Sequence, residues 1–133
     1  MEFKKDHSEY YGGSIAWTDS SNILIDTVSI SDDYATHKGG AIYLNNVEGT
    51  VKNSNFTNTR TYGSYGGALY VNGNVTIEDC TFAQCSSLNN LGTAVHLDGG
   101  NSSIVTSNFS TLNPILIENH TGVHLTKNNV ENS

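Results

Sequence analysis

Gly39-Gly40-Ala41-Ile42-Tyr43 is one of several related stretches that recur along the chain at a nearly constant step. The steps between the leading glycines are 27, 27 and 26 residues. Recurrence at this period is the signature of a repeat architecture. The related stretches are Gly12-Gly13-Ser14-Ile15, Gly66-Gly67-Ala68-Leu69 and, more weakly, Gly92-Thr93-Ala94-Val95.

Each copy has two short apolar stretches with the pattern of a β-strand. In the first, apolar residues alternate with other residues, as where Ile42 and Leu44 flank Tyr43. A period of two indicates a strand with one buried face, and no stretch shows a sustained helical period. The second stretch follows at a matching offset and ends, in successive copies, at Ile30, Phe56, Phe82 and Phe109.

These strands predict an all-β fold, a right-handed parallel β-helix (solenoid) of about five coils with 26–27-residue repeats. One coil cannot bury two short strands alone, whereas stacked coils share a continuous core. Equivalent side chains should therefore form inward columns about 4.8 Å apart. The expected columns are Ile15-Ile42-Leu69-Val95-Ile115, Trp17-Leu44-Val71-Leu97-Ile117, Ile25-Val51-Ile77-Ile104-Leu125 and Ile30-Phe56-Phe82-Phe109-Val130.

We expect a single β-helix domain over residues 1–133, with a leader segment at 1–10 and coils starting near residues 12, 39, 66, 92 and 114. No capping helix is readable at either end, so we interpret the domain as a piece of a longer solenoid. The stretches 31–38, 57–65 and 83–91 vary most between copies. They should form a row of loops on one side, which in repeat proteins often is the binding face.

The charge balance argues against two classes of partner. Six Lys and Arg stand against thirteen Asp and Glu, for a net charge of −7. Without a basic stripe, nucleic acid and anionic membrane surfaces are disfavoured. The longest apolar runs are far too short for a membrane span.

The repeat resembles that of the polymorphic outer membrane proteins, which pairs a Phe-x-x-Asn element with a Gly-Gly-Ala-Ile-like element. The resemblance covers roughly residues 11–112 and is most specific at Gly39–Tyr43 and Gly66–Tyr70. The Phe element departs from the pattern, and Thr93 replaces the second glycine of the fourth copy. The resemblance implies a secreted or surface-displayed β-helical adhesin or stalk, located outside the cell, with no catalytic residues to transfer.

One candidate binding surface is an outward-facing column that contains Tyr43, Tyr70 and His96. If the strands stack, these rings lie in register, and rings on a flat sheet offer a platform for sugars or a partner protein. The alternative is that tyrosine is simply a favourable strand residue that stacks on its neighbour.

A second candidate is the loop that carries Arg60, Tyr62 and Tyr65. Together with Tyr34, His37 and Lys38 in the loop one coil earlier, these side chains are the richest exposed chemistry in the sequence. They are equally consistent with a contact patch and with solvent-exposed loop decoration.

The sequence predicts no catalytic residues. Parallel β-helices often carry pectin-type lyases and glycoside hydrolases, which is an analogy of fold alone. Hydrolysis needs two carboxylates on one side of a groove, but in the pairs Asp32-Asp33 and Glu78-Asp79 the neighbours should face opposite ways. A lyase would need a carboxylate-held Ca²⁺ with an Arg or Lys base nearby, but Arg60 is the single arginine and no acidic cluster is aligned with it across coils.

The cysteines and histidines predict neither a metal nor a cofactor. Cys80 and Cys85 flank Phe82, and Cys80 falls in an inward column, so a buried free thiol is expected. A Cys80–Cys85 disulfide is the alternative for an exported protein. The five histidines have no spacing typical of metal ligands.

Five Asn-x-Ser/Thr sequons would accept glycans in a secreted eukaryotic protein. A chain this rich in Asn, Ser and Thr produces several by chance. The candidate asparagines are Asn55, Asn74, Asn101, Asn108 and Asn119.

Together these observations predict a non-catalytic structural or adhesive module, extracellular or on the cell surface, that presents loops and an aromatic column to a protein or glycan. A subunit of a fibrous assembly, joined end to end through open solenoid ends, is the first alternative. A fragment of a carbohydrate-active, pectin-type enzyme is the second.

Overall fold

The computed structural model describes residues 2–63, 65–120 and 125–131. Within these ranges the regular structure consists of strands alone, without a helix. The strands are β1 (Glu2–Lys4), β2 (His7–Ser8), β3 (Ile15–Asp26), β4 (Ser29–Ser31), β5 (Tyr34–Ala35), β6 (Ile42–Lys52), β7 (Asn55–Thr57), β8 (Arg60–Thr61), β9 (Leu69–Glu78), β10 (Thr81–Ala83), β11 (Val95–Gly100), β12 (Ser103–Val105), β13 (Asn108–Ser110), β14 (Ile115–His120), β15 (Leu125–Thr126) and β16 (Asn129–Glu131).

The chain is a parallel β-solenoid, as predicted. Each strand pairs in parallel with its equivalent from the next coil, which gives one sheet in the order β1-β4-β7-β10-β13-β16. A second sheet runs β3-β6-β9-β11-β14, with β12 and β15 continuing from the far half of β9, and a third runs β2-β5-β8. The chain makes about four turns, so the prediction of about five coils was slightly high. Among the described residues there is therefore no helix that could span a membrane.

The core is organised around a single file of phenylalanine rings. Phe56 and Phe82 stack with centroids 4.9 Å apart and planes within 8°, and Phe82 and Phe109 stack at 4.8 Å and 3°. All three rings are essentially buried. The predicted internal column is therefore confirmed, with Phe3 and Ile30 in register on its first two strands.

The aliphatic columns are also in the predicted register, but their end members are not buried. Leu44, Val71 and Leu97 pair in succession and are at most 1% exposed. Trp17, by contrast, is 37% exposed, and Leu125 and Val130 are 42% and 48% exposed. These three are in the predicted register, but the expectation that they are buried was wrong, because among the described residues each has a neighbouring coil on one side only.

The stretches predicted as loops contain a third, very short sheet. β2 lies in the leader segment, β5 in the stretch 31–38 and β8 in the stretch 57–65. A parallel bridge between Arg60 and Ser86 continues this sheet into the stretch 83–91. Inward residues of this sheet, Ala35 and Thr61, are at most 3% exposed. Two-residue strands are too short to show a hydrophobic period, so the sequence pattern could not reveal them.

The recurrent second glycine is required by close backbone packing between coils. A Cβ atom at Gly67 would overlap the carbonyl oxygens of Ser86 and Thr93 in the next coil. At the equivalent position of the fourth copy the following coil is shorter, and Thr93 is accommodated. Its hydroxyl donates to the carbonyl of Leu112 at 2.6 Å.

Asparagine and aspartate occupy the solenoid corners in the left-handed conformation. Asp32 and Asn58, one coil apart, have φ of 60° and 54°. The Asn58 amide donates to the Asp32 carboxylate at 2.8 Å, so the corners form a side-chain ladder. Asx side chains tolerate this conformation better than most residues, which explains why the chain is rich in them.

The two cysteines are free and buried, and no disulfide joins them. Cys80 lies in the inward column with Ser54 and Ser107, as expected. Burial raises the pKa of each thiol to about 11, so neither is ionised at neutral pH. The alternative of a Cys80–Cys85 disulfide is therefore not what the structure shows.

Candidate functional site

A cleft of about 400 Å³ lies beside the aromatic column, on the outer face of the long sheet. Side chains from two loops and two strands converge on it, and most of them are polar or charged. Its lining residues are His37, Lys38, Gly63, Tyr65, His96, Asp98 and Glu118.

Strand register places the three strongest ligand groups together. His96 and Asp98 are two residues apart on β11, so their side chains leave the same face of the sheet. Glu118 on β14 pairs with Asp98 in the next coil. One ligand atom from each of the three lies within 4.8 Å of the other two.

His96 forms one wall of the cleft. Its Nε2 lies 2.8 Å from Oε1 of Glu118, and the histidine side chain is only 6% exposed whereas that of Glu118 is 44% exposed. The rings of Tyr65 and Tyr70 contact the imidazole edge-on, at centroid distances of 5.1 and 5.3 Å. The imidazole is thus fixed from three sides while its carboxylate partner remains open to solvent.

Asp98 is held by two donors. The Tyr70 hydroxyl donates to one carboxylate oxygen at 2.9 Å, and the Asn119 amide donates to the other at 3.1 Å. Burial acts to raise the pKa of Asp98, but these two hydrogen bonds and the nearby His96 and Lys38 outweigh it. The pKa therefore lies below its usual value, and the group is a carboxylate at neutral pH.

Lys38 brings a positive charge to the same cleft. Its ammonium lies 4.6 Å from the centroid of the Tyr70 ring. Burial, together with the Asp98 carboxylate, raises the pKa of the Tyr70 phenol well above its usual value, so the hydroxyl stays protonated as the donor to Asp98. The cleft therefore carries two carboxylates against one ammonium.

The aromatic column is in register as predicted, but it is not an open platform. Tyr11 stacks on Tyr43 at 4.3 Å, and Tyr43 stacks on Tyr70 at 5.1 Å with planes within 12°. Tyr70 and His96 are each 4% exposed. The expectation of an exposed ring surface was wrong for these two residues, because the tyrosine faces are occupied by one another and loop residues cover the end of the column.

Of the three loop residues predicted as a patch, one reaches the cleft. Tyr65 contacts His96, as described above. Arg60 lies over the ring of Tyr62 at 5.7 Å, and Tyr62 meets Tyr34 edge-on at 5.4 Å. Neither Arg60 nor Tyr62 lines the cleft, so a role for these two residues in a contact patch stays a prediction.

Sequence reasoning missed Asp98 and Glu118 as site residues, whereas Lys38 was singled out only as a residue of the loop one coil before Arg60. Asp98 and Glu118 are twenty positions apart and adjoin only through the cross-coil register. The signal was available, because the same alignment that pairs His96 with Leu116 also pairs Asp98 with Glu118.

The sequon asparagines are all exposed in the structure, and their glycosylation stays a prediction. Asn119 differs from the others because its side-chain amide binds Asp98 at the edge of the cleft. A glycan on that amide would disturb the hydrogen bond.

Comparison with known proteins gives no relative from which a role could be transferred. No family model, curated protein or solved structure matches this chain. The resemblance to the polymorphic outer membrane protein repeat thus depends on the sequence motifs alone, whereas the parallel β-solenoid is shown by the structure.

Proposed function

We propose that this protein is a non-catalytic β-solenoid, extracellular or on the cell surface, that binds a neutral glycan in the cleft between Lys38, Tyr65 and Glu118. The observation that carries the proposal is the convergence of polar side chains and an aromatic ring on one concavity. The location outside the cell is supported by the repeat resemblance.

The size and lining of the cleft suit a short saccharide. Its volume of about 400 Å³ is within the usual range of small-ligand sites, about 300–1,000 Å³. Carboxylate oxygens of Asp98 and Glu118 can accept hydrogen bonds from sugar hydroxyls, and the Lys38 ammonium can donate to them. The Tyr65 ring, partly exposed on the wall, offers apolar contact to a sugar ring.

Charge favours a neutral glycan over an acidic one. Two carboxylates and one ammonium face the cleft, and the whole chain carries a net charge of −7. A uronic acid would bring a further negative charge toward Asp98 and Glu118. This also argues against an acidic polysaccharide as the ligand, and so against the pectin-type alternative.

The two cleft carboxylates are already engaged, which supports binding rather than hydrolysis. Glu118 pairs with His96, and Asp98 accepts from Tyr70 and Asn119 and has a lowered pKa. A glycosidase general acid instead needs a raised pKa. We therefore expect no release of reducing sugar from any glycan that binds.

The test is a glycan array followed by calorimetry on the best neutral binder. Tyr65→Ala should weaken binding about tenfold, the equivalent of about 1.4 kcal/mol from the lost ring contact. Tyr62→Ala is the matched control, since it removes an exposed tyrosine of the same loop that lies off the cleft. Equal affinities for the two variants, or an array without binders, would reject the proposal.

A second candidate function is assembly through the solenoid ends. β3 and β14 each have a parallel partner on one side only within the described ranges, and apolar residues such as Trp17 and Leu125 are exposed beside these edges. Unpaired strand edges are templates for further pairing. Sedimentation velocity should show concentration-dependent end-to-end oligomers, and a monomer at every concentration would exclude this function.

A further inference from the structure

We infer that His96, Asp98 and Glu118 form a binding site for one divalent zinc ion. The cluster is made by strand register rather than by sequence spacing, and it lies on the wall of the cleft. The inference is tested without a glycan, because zinc binding is measured by adding the metal alone.

The donor set matches zinc. One imidazole nitrogen and two carboxylate oxygens are typical protein ligands for Zn²⁺, at about 2.0–2.2 Å. Hard ions such as Ca²⁺ and Mg²⁺ prefer oxygen ligands alone, and Ca²⁺ takes six to eight of them. A site with a histidine and three protein ligands therefore favours zinc over either.

The spacing is close to what a tetrahedral ion requires. Ligands about 2.1 Å from a tetrahedral centre are about 3.4 Å apart. His96 Nε2 and Glu118 Oε1 are 2.8 Å apart, and no pair in the cluster exceeds 4.8 Å. Glu118, which is 44% exposed, has room to adjust, so the ion displaces the His96–Glu118 hydrogen bond without moving the backbone.

The surroundings position the ligands as partner groups around metal sites commonly do. Tyr70 and Asn119 donate to the Asp98 carboxylate at 2.9 and 3.1 Å, and the rings of Tyr65 and Tyr70 fix the imidazole. Hydrogen bonds of this kind orient ligating carboxylates. With three protein ligands on one wall, the fourth position opens to the cleft and to water.

Lys38 provides a second, opposite test of the same site. Its ammonium interacts with Asp98 and repels any cation that binds there. Lys38→Met keeps a side chain of similar length and removes the charge that lies over the Tyr70 ring. Zinc binding should then become several-fold tighter.

The experiment is isothermal titration of Zn²⁺ into the metal-free full chain without an affinity tag. The expected result is one zinc per chain, with affinity at least tenfold lower in Glu118→Gln and in Asp98→Asn. Glu48→Gln, which changes an exposed carboxylate outside the cleft, should bind as the unaltered protein does. Circular dichroism establishes that each variant is folded, and X-ray absorption of the zinc-loaded protein should show one imidazole among oxygen ligands.

Absence of binding, equal affinity in Glu118→Gln and the unaltered protein, or tighter binding of Ca²⁺ than of Zn²⁺ would each overturn the inference. Weaker zinc binding in Lys38→Met would do so as well. Glycan binding is measured separately on the metal-free protein with Tyr65→Ala, so failure of the zinc inference and failure of the glycan proposal are distinguishable.

Discussion

Replacing Phe82 with alanine removes the middle ring of the Phe56–Phe82–Phe109 stack. Phe82 is fully buried and has a parallel ring on each side, at 4.9 and 4.8 Å. Truncation of a buried phenylalanine costs about 3–5 kcal/mol, and each lost aromatic pair accounts for about 0.5–1.5 kcal/mol of such a cost. We therefore expect Phe82→Ala to lose about 4 kcal/mol of the free energy of unfolding.

Urea unfolding followed by circular dichroism measures this loss. With a slope of about 2 kcal/mol per molar urea, the midpoint should fall by about 2 M. Phe82→Leu keeps most of the apolar volume but loses both ring pairs, so its loss should be about 1–3 kcal/mol. Thr81→Val, on the exposed face of the same strand, is the control and should change stability by less than about 0.5 kcal/mol.

A loss of less than about 1 kcal/mol for Phe82→Ala would mean that the ring lies outside the core, because an exposed ring costs little to remove. A loss of less than about 0.5 kcal/mol for Phe82→Leu would contradict the ring stack specifically, because that variant keeps most of the volume and loses only the ring pairs. The slope should be compared between variants, since a repeat protein can lose cooperativity and unfold in parts.

Three further predictions follow from the packing of buried groups. Gly67→Ala should lower the free energy of unfolding by at least about 2 kcal/mol, measured by urea unfolding, because its Cβ has no space between coils. The thiols of Cys80 and Cys85 should react with a disulfide reagent only on unfolding. Because their pKa is about 11 in the folded protein and about 8.5 in an unfolded chain, stability should fall as pH rises between these values. Burial likewise raises the pKa of Asp33, so its ionisation costs stability as pH rises above about 4, and Asp33→Asn should flatten that part of the stability–pH curve.

The fold was predictable because a solenoid repeats its signal. The glycine pair, the alternation seen around Tyr43 and the phenylalanine at the end of the second strand each recur in several copies. The prediction therefore did not depend on any single copy. The third sheet was not predictable, because strands such as Tyr34–Ala35 are too short to show a period. The exposure of Trp17 also depends on how many coils lie beside it, which the residue's own pattern does not encode.

The candidate site was predictable in part. Register alone placed Tyr43, Tyr70 and His96 in one column, as found. Whether those rings are open or covered depends on how the loops fold, and no pattern in residues 57–65 gives that conformation. The proximity of Asp98 and Glu118 follows from strand register and could have been predicted from the sequence. The contact between Lys38 and Tyr70 could not, because it depends on the conformation of the lysine side chain.

The most direct test of the solenoid is a nuclear Overhauser measurement on protein with labelled phenylalanine rings. Stacked coils should give ring-to-ring contacts from Phe56 to Phe82 and from Phe82 to Phe109, and none between Phe56 and Phe109, which are separated by the middle ring. A contact between Phe56 and Phe109, or the absence of both predicted contacts in the folded protein, would contradict the stacking of successive coils.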